Sequence, residues 1–479
     1  MRHAKIVCTI GPASASPDVL ARLIAAGMDV ARLNFSHGTH EAHAQAMRAI
    51  RAAAAAQDKP VAILQDLQGP RLRIGVLPAP VELAVGQTVI LTGDGSAPHR
   101  QGSDPRLPVT YQALARDVRS GARLLINDGL IELAVEQVEG SDVRCRVTVG
   151  GTVTSNKGLN LPGTAVSAPT VTEKDRADLR FGLAQEVDYV ALSFVRGPED
   201  IEAVRQVMAS CGREVPIVAK IERAEAVEKL EAILDAAAGV MVARGDLGVE
   251  LGPEAVPVLQ KRIIRAANRH RRLVITATQM LESMTAQPRP TRAEASDVAN
   301  AVFDGTDAVM LSAETSTGRY PIEAVAVMDR IVRAAESDAP ASGTARQAER
   351  ATHVMETAGT IPEALCAGAA RAVEETGGTA VVVFSESGTT ARLMAAQRPA
   401  VPIVAFTPFE QTCRRMALYW GVLPRTMARV ADPDARVHEV ERRLLSESLV
   451  GRGDRIVILA GTLVGQVGGT NVMKVHEIA

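Results

Sequence analysis

Short apolar runs alternate with Ala-rich, helix-like stretches along most of the chain. Runs rich in β-branched residues that end in polar or Gly-rich punctuation predict strands, and the stretches between them predict helices. Eight such runs stand out: Lys5–Ile10, Val30–Phe35, Val61–Leu64, Tyr189–Val195, Pro216–Ile221, Gly239–Val242, Leu273–Ala277 and Ala308–Leu311. Eight βα repeats predict an α/β fold with a closed (β/α)8 TIM barrel, whose active site lies in the loops that follow the strands.

The alternation breaks between Pro70 and about Ser167, where helical patterns are scarce. Turn pairs such as Asp128-Gly129 separate β-type runs at Val81–Leu91, Leu124–Val138 and Val143–Val149. This region is predicted to be an inserted β-barrel lid domain after the third barrel strand. An insertion at the active-site face can close over the site and exclude water.

A third region follows a small and polar linker, Asp338–Gln347. Its strands are predicted at Thr379–Phe384, Val401–Phe406, Val422–Arg425 and Arg455–Leu459, with helices such as Ile361–Thr376 between them. The pattern predicts a C-terminal α/β domain with an open, mostly parallel sheet. The predicted boundaries are residues 1–69 and 168–337 for the barrel, 70–167 for the lid and 348–479 for the C-terminal domain.

Charge and hydropathy exclude two classes of partner. The net charge of −2 and pI near 6.5 provide no broad basic surface, so we expect no nucleic acid partner. No apolar run approaches the roughly 18 residues that span a bilayer, so we expect no membrane partner and a cytoplasmic location.

Candidate chemistry concentrates at the ends of the fifth and sixth predicted strands. Alternate side chains of a strand share a face, so Lys220 and Glu222 are expected to project together beside Asp246. Only eight of the 53 basic residues are Lys, so the chain has kept a Lys where it elsewhere uses Arg. Two carboxylates and an ammonium predict a metal and anion site; the alternative is a structural ion pair between neighbouring strands.

Other strand ends carry further polar groups. Arg32, Asn34 and Ser36 alternate onto one face and offer a guanidinium for phosphate and oxygens for a cation, unless they only cap the strand. Gly245 permits close backbone approach, and the N–H groups after it suit a carboxylate. Thr278 places a hydroxyl where a proton could pass, although such a hydroxyl often bonds only to backbone.

The familiar nucleotide motifs are missing from the sequence. It contains no G-x-x-x-x-G-K-[ST] loop, no G-x-G-x-x-G after a strand and no protein-kinase H-R-D and D-F-G pair. In the C-terminal region, the polar loop Ser385–Thr390 follows a strand and opens a helix. Its amides and hydroxyls could bind a phosphate, or it is an ordinary βα turn.

Long strings in the same order resemble the pyruvate kinase family along essentially the whole chain. They are KIVCTIGPAS from Lys5, ARLNFSHG from Ala31, KGLNLPG from Lys157, AKIE from Ala219, MVARGDLGVE from Met241, ATQMLESM from Ala277, PTRAEASDVANAVFDGTD from Pro290 and GTNVMKVHE from Gly469. The resemblance implies Mg-dependent phosphoryl transfer from phosphoenolpyruvate to ADP, giving pyruvate and ATP in the final step of glycolysis.

The resemblance also implies roles for matching residues at the metal and substrate. Glu222 and Asp246 match the ligands of Mg2+ or Mn2+, and Lys220 matches the lysine that stabilises charge on the phosphoryl group and the enolate. Gly245, Asp246 and Thr278 match the residues that line the carboxylate end of the substrate. The implied catalytic set is Lys220, Arg73 and Thr278, and the implied substrate-binding set is Arg32, Lys220, Gly245, Asp246 and Thr278.

The resemblance implies that the nucleotide is bound by Asn34, His37, Arg73 and Lys157. Lys157 lies on the lid and matches the lysine that reaches the nucleotide phosphates. For a monovalent cation it implies Asn34, Ser36, Asp66 and the carbonyl of Leu67. The family's D-T-K-G-P-E-I-R appears here as DLQGPRLR from Asp66, so Arg71 replaces a Glu beside that site. The implied second cofactor is therefore K+, or Arg71 takes its place.

In the C-terminal domain, the resemblance implies a phosphorylated allosteric effector bound at Ser385, Ser387, Gly388, Thr389 and Thr390. Glu386 stands where members that respond to fructose bisphosphate often have Lys. A carboxylate there would repel a second phosphate, so another sugar phosphate or a nucleotide is expected. A homotetramer is also implied.

Two other functions fit parts of the pattern. A Mg-dependent aldolase or lyase that acts on pyruvate enolate would use Glu and Asp on adjacent strand ends, but it would not need Lys157 on a lid or the pair Arg32 and Arg73. A non-catalytic metabolite-binding relative would be expected to lack Lys220, Glu222 or Asp246, and the chain has all three.

Overall fold

The computed structural model describes residues 1–93, 99–101, 104–338, 359–430, 432–462 and 469–479. Apart from Asp338, the predicted linker and the predicted start of the C-terminal domain at residue 348 lie outside these residues. The exact domain boundaries therefore stay predictions.

Eight parallel strands form the predicted closed barrel. They are β1 (Lys5–Thr9), β2 (Val30–Asn34), β3 (Ala62–Asp66), β13 (Tyr189–Leu192), β14 (Ile217–Ile221), β15 (Gly239–Ala243), β16 (Leu273–Ala277) and β17 (Ala308–Leu311). The strand order is β1-β17-β16-β15-β14-β13-β3-β2, and the pairing of β1 with β2 closes the circle. The predicted TIM barrel is confirmed.

Helices surround the barrel and connect its strands. They are α1 (Pro17–Ala26), α2 (His40–Ala56), α4 (Glu173–Ala184), α5 (Pro198–Ser210), α6 (Ala224–Glu228), α7 (Leu230–Ala236), α8 (Arg244–Leu251), α9 (Val256–Arg269), α10 (Arg292–Asp304), α11 (Ala313–Ser316) and α12 (Pro321–Asp338), with a 3-10 turn at Glu282–Thr285. Local side chains fix where several of them begin. Thr39 caps α2, and Thr291 with Glu294 forms a capping box that starts α10.

The inserted region between β3 and α4 is the predicted β domain. Its elements are β4 (Val81–Leu83), β5 (Thr88–Thr92), β6 (His99–Gln101), β7 (Asp104–Pro108), α3 (Leu114–Asp117), β8 (Arg123–Ile126), β9 (Ile131–Glu139), β10 (Asp142–Val149), β11 (Gly151–Val153) and β12 (Leu159–Asn160). Seven strands form one sheet in the order β12-β8-β9-β10-β5-β7-β6, and β4 pairs with β11.

A short irregular segment, residues 72–75, joins two parts of this lid sheet. The carbonyl of Leu72 accepts the Leu159 N–H at 2.9 Å, and the Ile74 N–H donates to the Lys157 carbonyl at 2.9 Å. On the other side, the Thr110 N–H donates to the carbonyl of Arg73 at 2.8 Å. The segment thus bridges the β12 edge to the residues after β7, and it carries Arg73 between the lid and the barrel.

The C-terminal domain contains a five-stranded, mostly parallel sheet, as predicted. Its elements are α13 (Ile361–Thr376), β18 (Ala380–Phe384), α14 (Thr389–Ala396), β19 (Ile403–Thr407), α15 (Glu410–Met416), β20 (Val422–Thr426), α16 (Pro433–Ser446), β21 (Arg455–Gly461) and β22 (Thr470–Glu477). The strand order is β20-β19-β18-β21-β22. The strand pattern did not predict β22, which pairs antiparallel with β21 at the edge of the sheet.

The C-terminal domain packs against the barrel at the N-terminal ends of the strands. Arg414 and Arg398 pair with the buried barrel carboxylates Asp188 and Asp307 at 3.1 and 2.6 Å. The buried ammonium of Lys5 donates to the carbonyl of Val422 at 2.7 Å. These contacts occupy the barrel end opposite to the predicted active site.

No helix in the described parts of the chain is long and apolar enough to cross a membrane.

Candidate active site

A cleft of about 350 Å³ opens where the barrel strands end and the lid begins. Its lining includes most of the residues that the sequence singled out: Arg32, Asn34, Ser36, Asp66, Arg71, Arg73, Lys220, Glu222 and Asp246. The rule that a barrel's functional groups lie at the C-terminal ends of its strands thus holds for residues from four different strands and the lid connection.

Lys220 lies at the centre of the charged groups on the barrel floor of this cleft. Its ammonium is 2.8 Å from Glu222 Oε1 and 3.5 Å from Asp66 Oδ1, and it donates to Ser193 Oγ at 2.8 Å. Burial lowers the pKa of Lys220, but the charges of Asp66 and Glu222 outweigh burial and raise the pKa above its usual value. Lys220 is therefore a permanent cation at neutral pH.

Arg32 and Asp66 form a second buried pair beside Lys220. Arg32 Nε donates to Asp66 Oδ2 at 2.7 Å, and its Nη1 donates to Thr9 Oγ1 at 2.9 Å. Burial raises the pKa of Asp66, but Lys220 and Arg32 lower it more. Asp66 thus stays ionised and fixes both cations.

Asp246 and Glu222 are two carboxylates that both line the cleft. Asp246 lies in the first turn of α8, and Glu222 accepts the Phe194 N–H at 2.7 Å through Oε2. Burial, and next the charge of Glu222, raise the pKa of Asp246 to about 7. Two carboxylates that destabilise each other's charge are stabilised by a cation between them.

The donor set fits a divalent metal ion. Carboxylate oxygens are hard ligands, and Mg2+ is usually held by one or two carboxylates together with water and substrate oxygens. Glu222 and Asp246 supply two such groups, and in the described residues no group of three or more His, Cys, Asp or Glu side chains forms a complete metal cage.

Arg71 and Arg73 line the side of the cleft that belongs to the lid connection. In the part of the chain that the structure describes, neither guanidinium forms an ion pair. Burial, and next the charge of Arg73, lower the pKa of Arg71, while Asp246, Asp66 and Glu222 act in the opposite direction. Arg71 is thus within electrostatic reach of the site carboxylates, although part of its side chain remains exposed.

Three of the residues predicted to bind a monovalent cation, Asn34, Ser36 and Asp66, line the cleft, whereas Leu67 does not, and several of the predicted oxygens already have partners. Asn34 Oδ1 accepts the Ser36 N–H at 3.1 Å, and the Leu67 carbonyl accepts the Ser193 hydroxyl at 2.8 Å. The two oxygens of Asp66 face Arg32 and Lys220, as described above. A monovalent cation at Asp66 would have to share the carboxylate oxygens with the side-chain cations Arg32 and Lys220.

Thr278 and Gly245 do not line the cleft themselves, but they are connected to Asp246, which does. Thr278 Oγ1 accepts the Gly245 N–H at 2.9 Å and donates to the Ala277 carbonyl at 2.6 Å. Gly245 directly precedes Asp246 in α8, so the hydroxyl lies beside the metal-ligand candidate.

Two of the residues predicted to bind the nucleotide, Lys157 and His37, do not line the cleft. Asn156 and Gly158 line the cleft, but Lys157 between them does not. His37 is largely exposed. Partial desolvation of its ring, followed by the charges of Arg71 and Arg73, lowers the pKa of His37. His37 is therefore near the arginines that close the cleft, while the Lys157 side chain lies outside it.

Two further residues of the site, Ser193 and Phe194, follow β13 and were not predicted from the sequence. The Ser193 hydroxyl connects Lys220 to Asp66 and Leu67, and the Phe194 amide fixes Glu222. Ser193 carried a usable signal, because it is a polar residue at the end of an apolar strand run. Phe194 carried none, because only its backbone takes part.

The predicted effector loop forms a separate small cavity in the C-terminal domain. The cavity, of about 70 Å³, is lined by Ser385, Glu386, Ser387 and Thr390, but not by Gly388 or Thr389. Gly388 begins α14 with φ 84°, and its N–H donates to Ser385 Oγ at 3.0 Å. Glu386 is held by Arg429 at 3.1 and 2.8 Å, so its charge is partly compensated.

Comparison with known proteins agrees with this geometry. The family description "Pyruvate kinase, barrel domain" matches residues 1–325, and "Pyruvate kinase, alpha/beta domain" matches residues 363–476. The chain belongs to the pyruvate kinase family. Membership makes it a phosphotransferase of glycolysis that uses a divalent metal, with phosphoenolpyruvate and ADP as substrates.

Individual relatives match over the full chain. The pyruvate kinase of Mycobacterium tuberculosis is 46% identical over 479 residues, which cover 100% of this chain and 98% of the relative. That of Staphylococcus aureus (strain MRSA252) is 43% identical and covered to 81%. A crystal structure of a pyruvate kinase from Cryptosporidium parvum is 36% identical with a TM-score of 0.93, covering 100% of this chain and 96% of that one.

Proposed function

We propose that the cleft transfers the phosphoryl group of phosphoenolpyruvate to ADP with Mg2+ held by Glu222 and Asp246 and with Lys220 as the catalytic cation. The observation that carries the assignment is the position of the Lys220 ammonium, 2.8 Å from Glu222 at the barrel mouth. Phosphoryl transfer depends on positioning and on charge stabilisation more than on covalent catalysis. The cleft provides both.

The metal supplies Lewis acidity and a template for the phosphoryl and enolate oxygens when it is bound. Mn2+ would fit the same two carboxylates. The Phe194 amide orients Glu222 by a hydrogen bond, and Asp246 is positioned by the first turn of α8, in which it lies.

Three side-chain cations are proposed to stabilise the phosphoryl group. Lys220 meets the charge that develops on the transferring group and on the enolate oxygen. Arg32, fixed by Asp66 and Thr9, and Arg73, which has no ion-pair partner among the described residues, bind the phosphate oxygens. Such preorganised charges stabilise a transition state without reorganisation at the moment of reaction.

The first turn of α8 is proposed to bind the substrate's carboxylate. The helix has eight residues, and the backbone amides of Gly245 and Asp246 lie at its N-terminal end, which favours negative charge. The neighbouring Thr278 hydroxyl is proposed to pass a proton to the enolate carbon after transfer.

The nucleotide is proposed to lie between the barrel and the lid, against Asn34, His37 and Arg73. Because the Lys157 side chain lies outside the cleft, closure of the lid would have to bring it to the nucleotide phosphates. Such closure would also exclude water.

Arg71 is proposed to replace the monovalent cation K+. It lines the cleft together with Asp66, whose oxygens are already engaged by Arg32 and Lys220, and the Leu67 carbonyl already accepts the Ser193 hydroxyl. A guanidinium carries its charge at any physiological pH.

Regulation and assembly are proposed from the C-terminal domain. The loop with Ser385, Ser387, Gly388, Thr389 and Thr390 would bind one phosphate of an effector, a sugar phosphate other than fructose bisphosphate or a nucleotide. A homotetramer is supported by the edge strand β22, whose Val472, Met473 and Val475 are exposed. Exposed apolar edge strands commonly pair with another chain. The cytoplasmic location stays a prediction.

The test is the rate of pyruvate formation from phosphoenolpyruvate and ADP as a function of Mg2+ concentration. Unmodified protein should form pyruvate and ATP in equal amounts. Glu222→Gln and Asp246→Asn should each raise the half-saturating Mg2+ concentration about tenfold or more, because each removes charge from a hard-cation ligand. Glu228→Gln, an exposed carboxylate after the same strand, is the matched control. A normal metal titration in either site variant would remove that residue from the ligand set.

A further inference from the structure

The turn after β16 has an unusual backbone for the residues it contains. Thr278 and Gln279 both lie in the left-handed region, with φ 69° and 52°. Glycine adopts this region freely, but a β-branched residue such as Thr is a steric outlier there. Two consecutive non-glycine residues with this backbone conformation persist only where surrounding contacts hold them.

The side chain of Arg244 holds this turn. Its Nε donates to the Ala277 carbonyl at 3.2 Å, and its Nη2 donates to the Thr278 carbonyl at 2.7 Å and to the Gln279 carbonyl at 3.3 Å. The Arg244 side chain is only 9% exposed, so water competes little for these carbonyls. One guanidinium thus binds the backbone of the whole strained turn.

The guanidinium is itself held from the outer side. Asp297 pairs with Nη1 and Nη2, each at 2.7 Å, and Gln260 Oε1 accepts from Nη1 at 3.2 Å. Asp297 lies on α10, whose capping box fixes where that helix begins. A bidentate pair of this kind sets the orientation of the guanidinium as well as its charge.

This arrangement fixes the direction of the Thr278 hydroxyl. Arg244 binds the carbonyl side of the turn, and the next residue, Gly245, donates its N–H to Thr278 Oγ1 at 2.9 Å. Two consecutive residues of α8 therefore hold the same threonine from its backbone and from its side chain. Without the clamp, Thr278 would relax to an ordinary backbone conformation and its hydroxyl would move away from Gly245.

We propose that Arg244, with Asp297 as its counterion, is a positioning residue for the proton-transfer step, because it keeps Thr278 in the strained turn that presents its hydroxyl to the substrate carbon. The inference rests on the proposed function of the cleft. In this step the Thr278 hydroxyl, which otherwise donates to the Ala277 carbonyl, turns to the substrate. The π electron pair of the enolate takes the hydroxyl proton and forms the third C–H bond of the methyl group. The enolate oxygen becomes the ketone oxygen, and Thr278 regains a proton from solvent water, so one proton is taken up in total.

If the contacts of Arg244 only stabilised the fold, their loss would slow phosphoryl transfer and protonation of the enolate equally. The halves can be separated, because the proton step alone exchanges the methyl hydrogens of pyruvate with solvent when ATP and Mg2+ are present. Deuterium incorporation into pyruvate in D2O reports that step, and ATP formation under single-turnover conditions with phosphoenolpyruvate and ADP reports phosphoryl transfer.

The decisive variant is Arg244→Gln, measured alone and together with Thr278→Ala. We expect Arg244→Gln to lower deuterium incorporation at least about tenfold and phosphoryl transfer much less, since a positioned proton donor contributes of this order or more. In the Thr278→Ala background the same change should lower incorporation less than about twofold, because residues that act through one another are not additive. Equal losses in both backgrounds, or equal losses of both half-reactions, would overturn the proposal.

Arg51→Gln is the matched control, because it removes a partly buried guanidinium that pairs with Asp188 at the opposite end of the barrel. It should leave the ratio of the two half-reactions unchanged. If Arg244→Gln does not fold, Asp297→Asn serves instead and should lower deuterium incorporation selectively; an unchanged ratio there would overturn the proposal. Absence of pyruvate formation in the unmodified protein would instead reject the proposed function.

Discussion

At the scale of single residues, the cleft matches its buried charges with opposite charges and leaves a few groups for ligands. Asp66 fixes Arg32 and Lys220, and Glu222 meets Lys220 on one oxygen. Among the residues that the structure describes, Asp246 has no such partner, and its pKa is raised to about 7 by burial and by Glu222. The unmatched carboxylate is where a cation would stabilise the site most.

Arg71 leads to a prediction about monovalent ions. Two unit charges 4 Å apart repel by about 4 kcal/mol at an effective dielectric constant of 20, so Arg71 and K+ should exclude each other. We expect full activity with Mg2+ in tetramethylammonium buffer, and no more than about twofold activation by KCl. Steady-state rates with and without KCl measure this.

Arg71→Glu should convert the protein to one that requires K+, because the new carboxylate removes the permanent positive charge and favours a cation. Arg119→Glu, an exposed charge reversal elsewhere on the lid, should have no such effect. Tenfold or greater activation of the unmodified protein by KCl would mean that Arg71 does not replace the ion.

The residues of the cleft could be predicted to different degrees. Lys220 and Glu222 were predictable because strand alternation fixes which side chains share a face. The strained turn at Thr278 could not be predicted. A left-handed backbone is indicated in a sequence mainly by glycine, and this turn contains no glycine. The role of Phe194 was equally hidden, because a backbone amide leaves no pattern in a sequence.

At the scale of elements, helix starts and sheet edges provide the sites outside the cleft. Helix α14 begins at Gly388 with the hydroxyls of Ser387 and Thr389 2.9 Å apart at its first turn. The lid sheet is bridged by residues 72–75, so the lid's own hydrogen bonds include the segment that carries Arg73. A movement of the lid would therefore move Arg73 as well.

The α14 loop gives a prediction about activation. If a phosphorylated metabolite activates the protein, the triple variant of Ser385, Ser387 and Thr389 to Ala should lose that activation while keeping the basal rate. Hydroxyls at a helix start donate to phosphate oxygens, and Ala cannot. Rates across a panel of sugar phosphates and nucleotides measure it. Ser446→Ala, an exposed hydroxyl on α16, is the control, and retained activation in the triple variant would place the effector elsewhere.

The sequence pattern predicted the barrel strands and one edge strand of the C-terminal sheet, β20, but it missed the other edge strand, β22. The eight barrel strands are buried and read as continuous apolar runs. Strand β22 is exposed along most of its length and mixes polar with apolar residues, so its sequence lacks that signal. The segment at residues 72–75 was missed as part of the lid sheet because single bridges do not form a strand.

At the scale of the whole molecule, the active-site cleft and the C-terminal domain occupy opposite ends of the barrel. His3 lies at the second of these ends, with its ring 4.6 Å from that of Trp420 and its N–H donating to Glu336 at 2.8 Å. Burial, followed by the charges of Lys5, the chain's amino terminus and Arg398, lowers the pKa of His3 to about 4.

This contact predicts acid sensitivity of the domain packing. The folded protein keeps His3 neutral while the unfolded chain protonates it near pH 6.5, so stability is complete above pH 6.5 and declines as the pH falls toward 4. The contribution is at most about 3.5 kcal/mol, because the pKa falls from 6.5 to about 4 and each pKa unit corresponds to about 1.4 kcal/mol. Tm measured between pH 4.5 and 7 should depend less on pH in His3→Gln than in the unmodified protein.

The exposed His438, changed to Gln, should leave that pH dependence unaltered. An identical dependence in His3→Gln and the unmodified protein would show that other groups dominate acid unfolding.

Lys220 is proposed to stabilise the charge that develops during phosphoryl transfer at the barrel mouth. The most direct measurement is the single-turnover rate of pyruvate formation in Lys220→Met, together with the directly measured affinity for phosphoenolpyruvate. We predict a rate at least about 100-fold lower with a much smaller loss of affinity, because the ammonium acts mainly in the transition state. Lys229→Met, an exposed lysine seven residues from Glu222, should match the unmodified protein. Equal losses of rate and affinity in Lys220→Met, or an unchanged rate, would contradict the account.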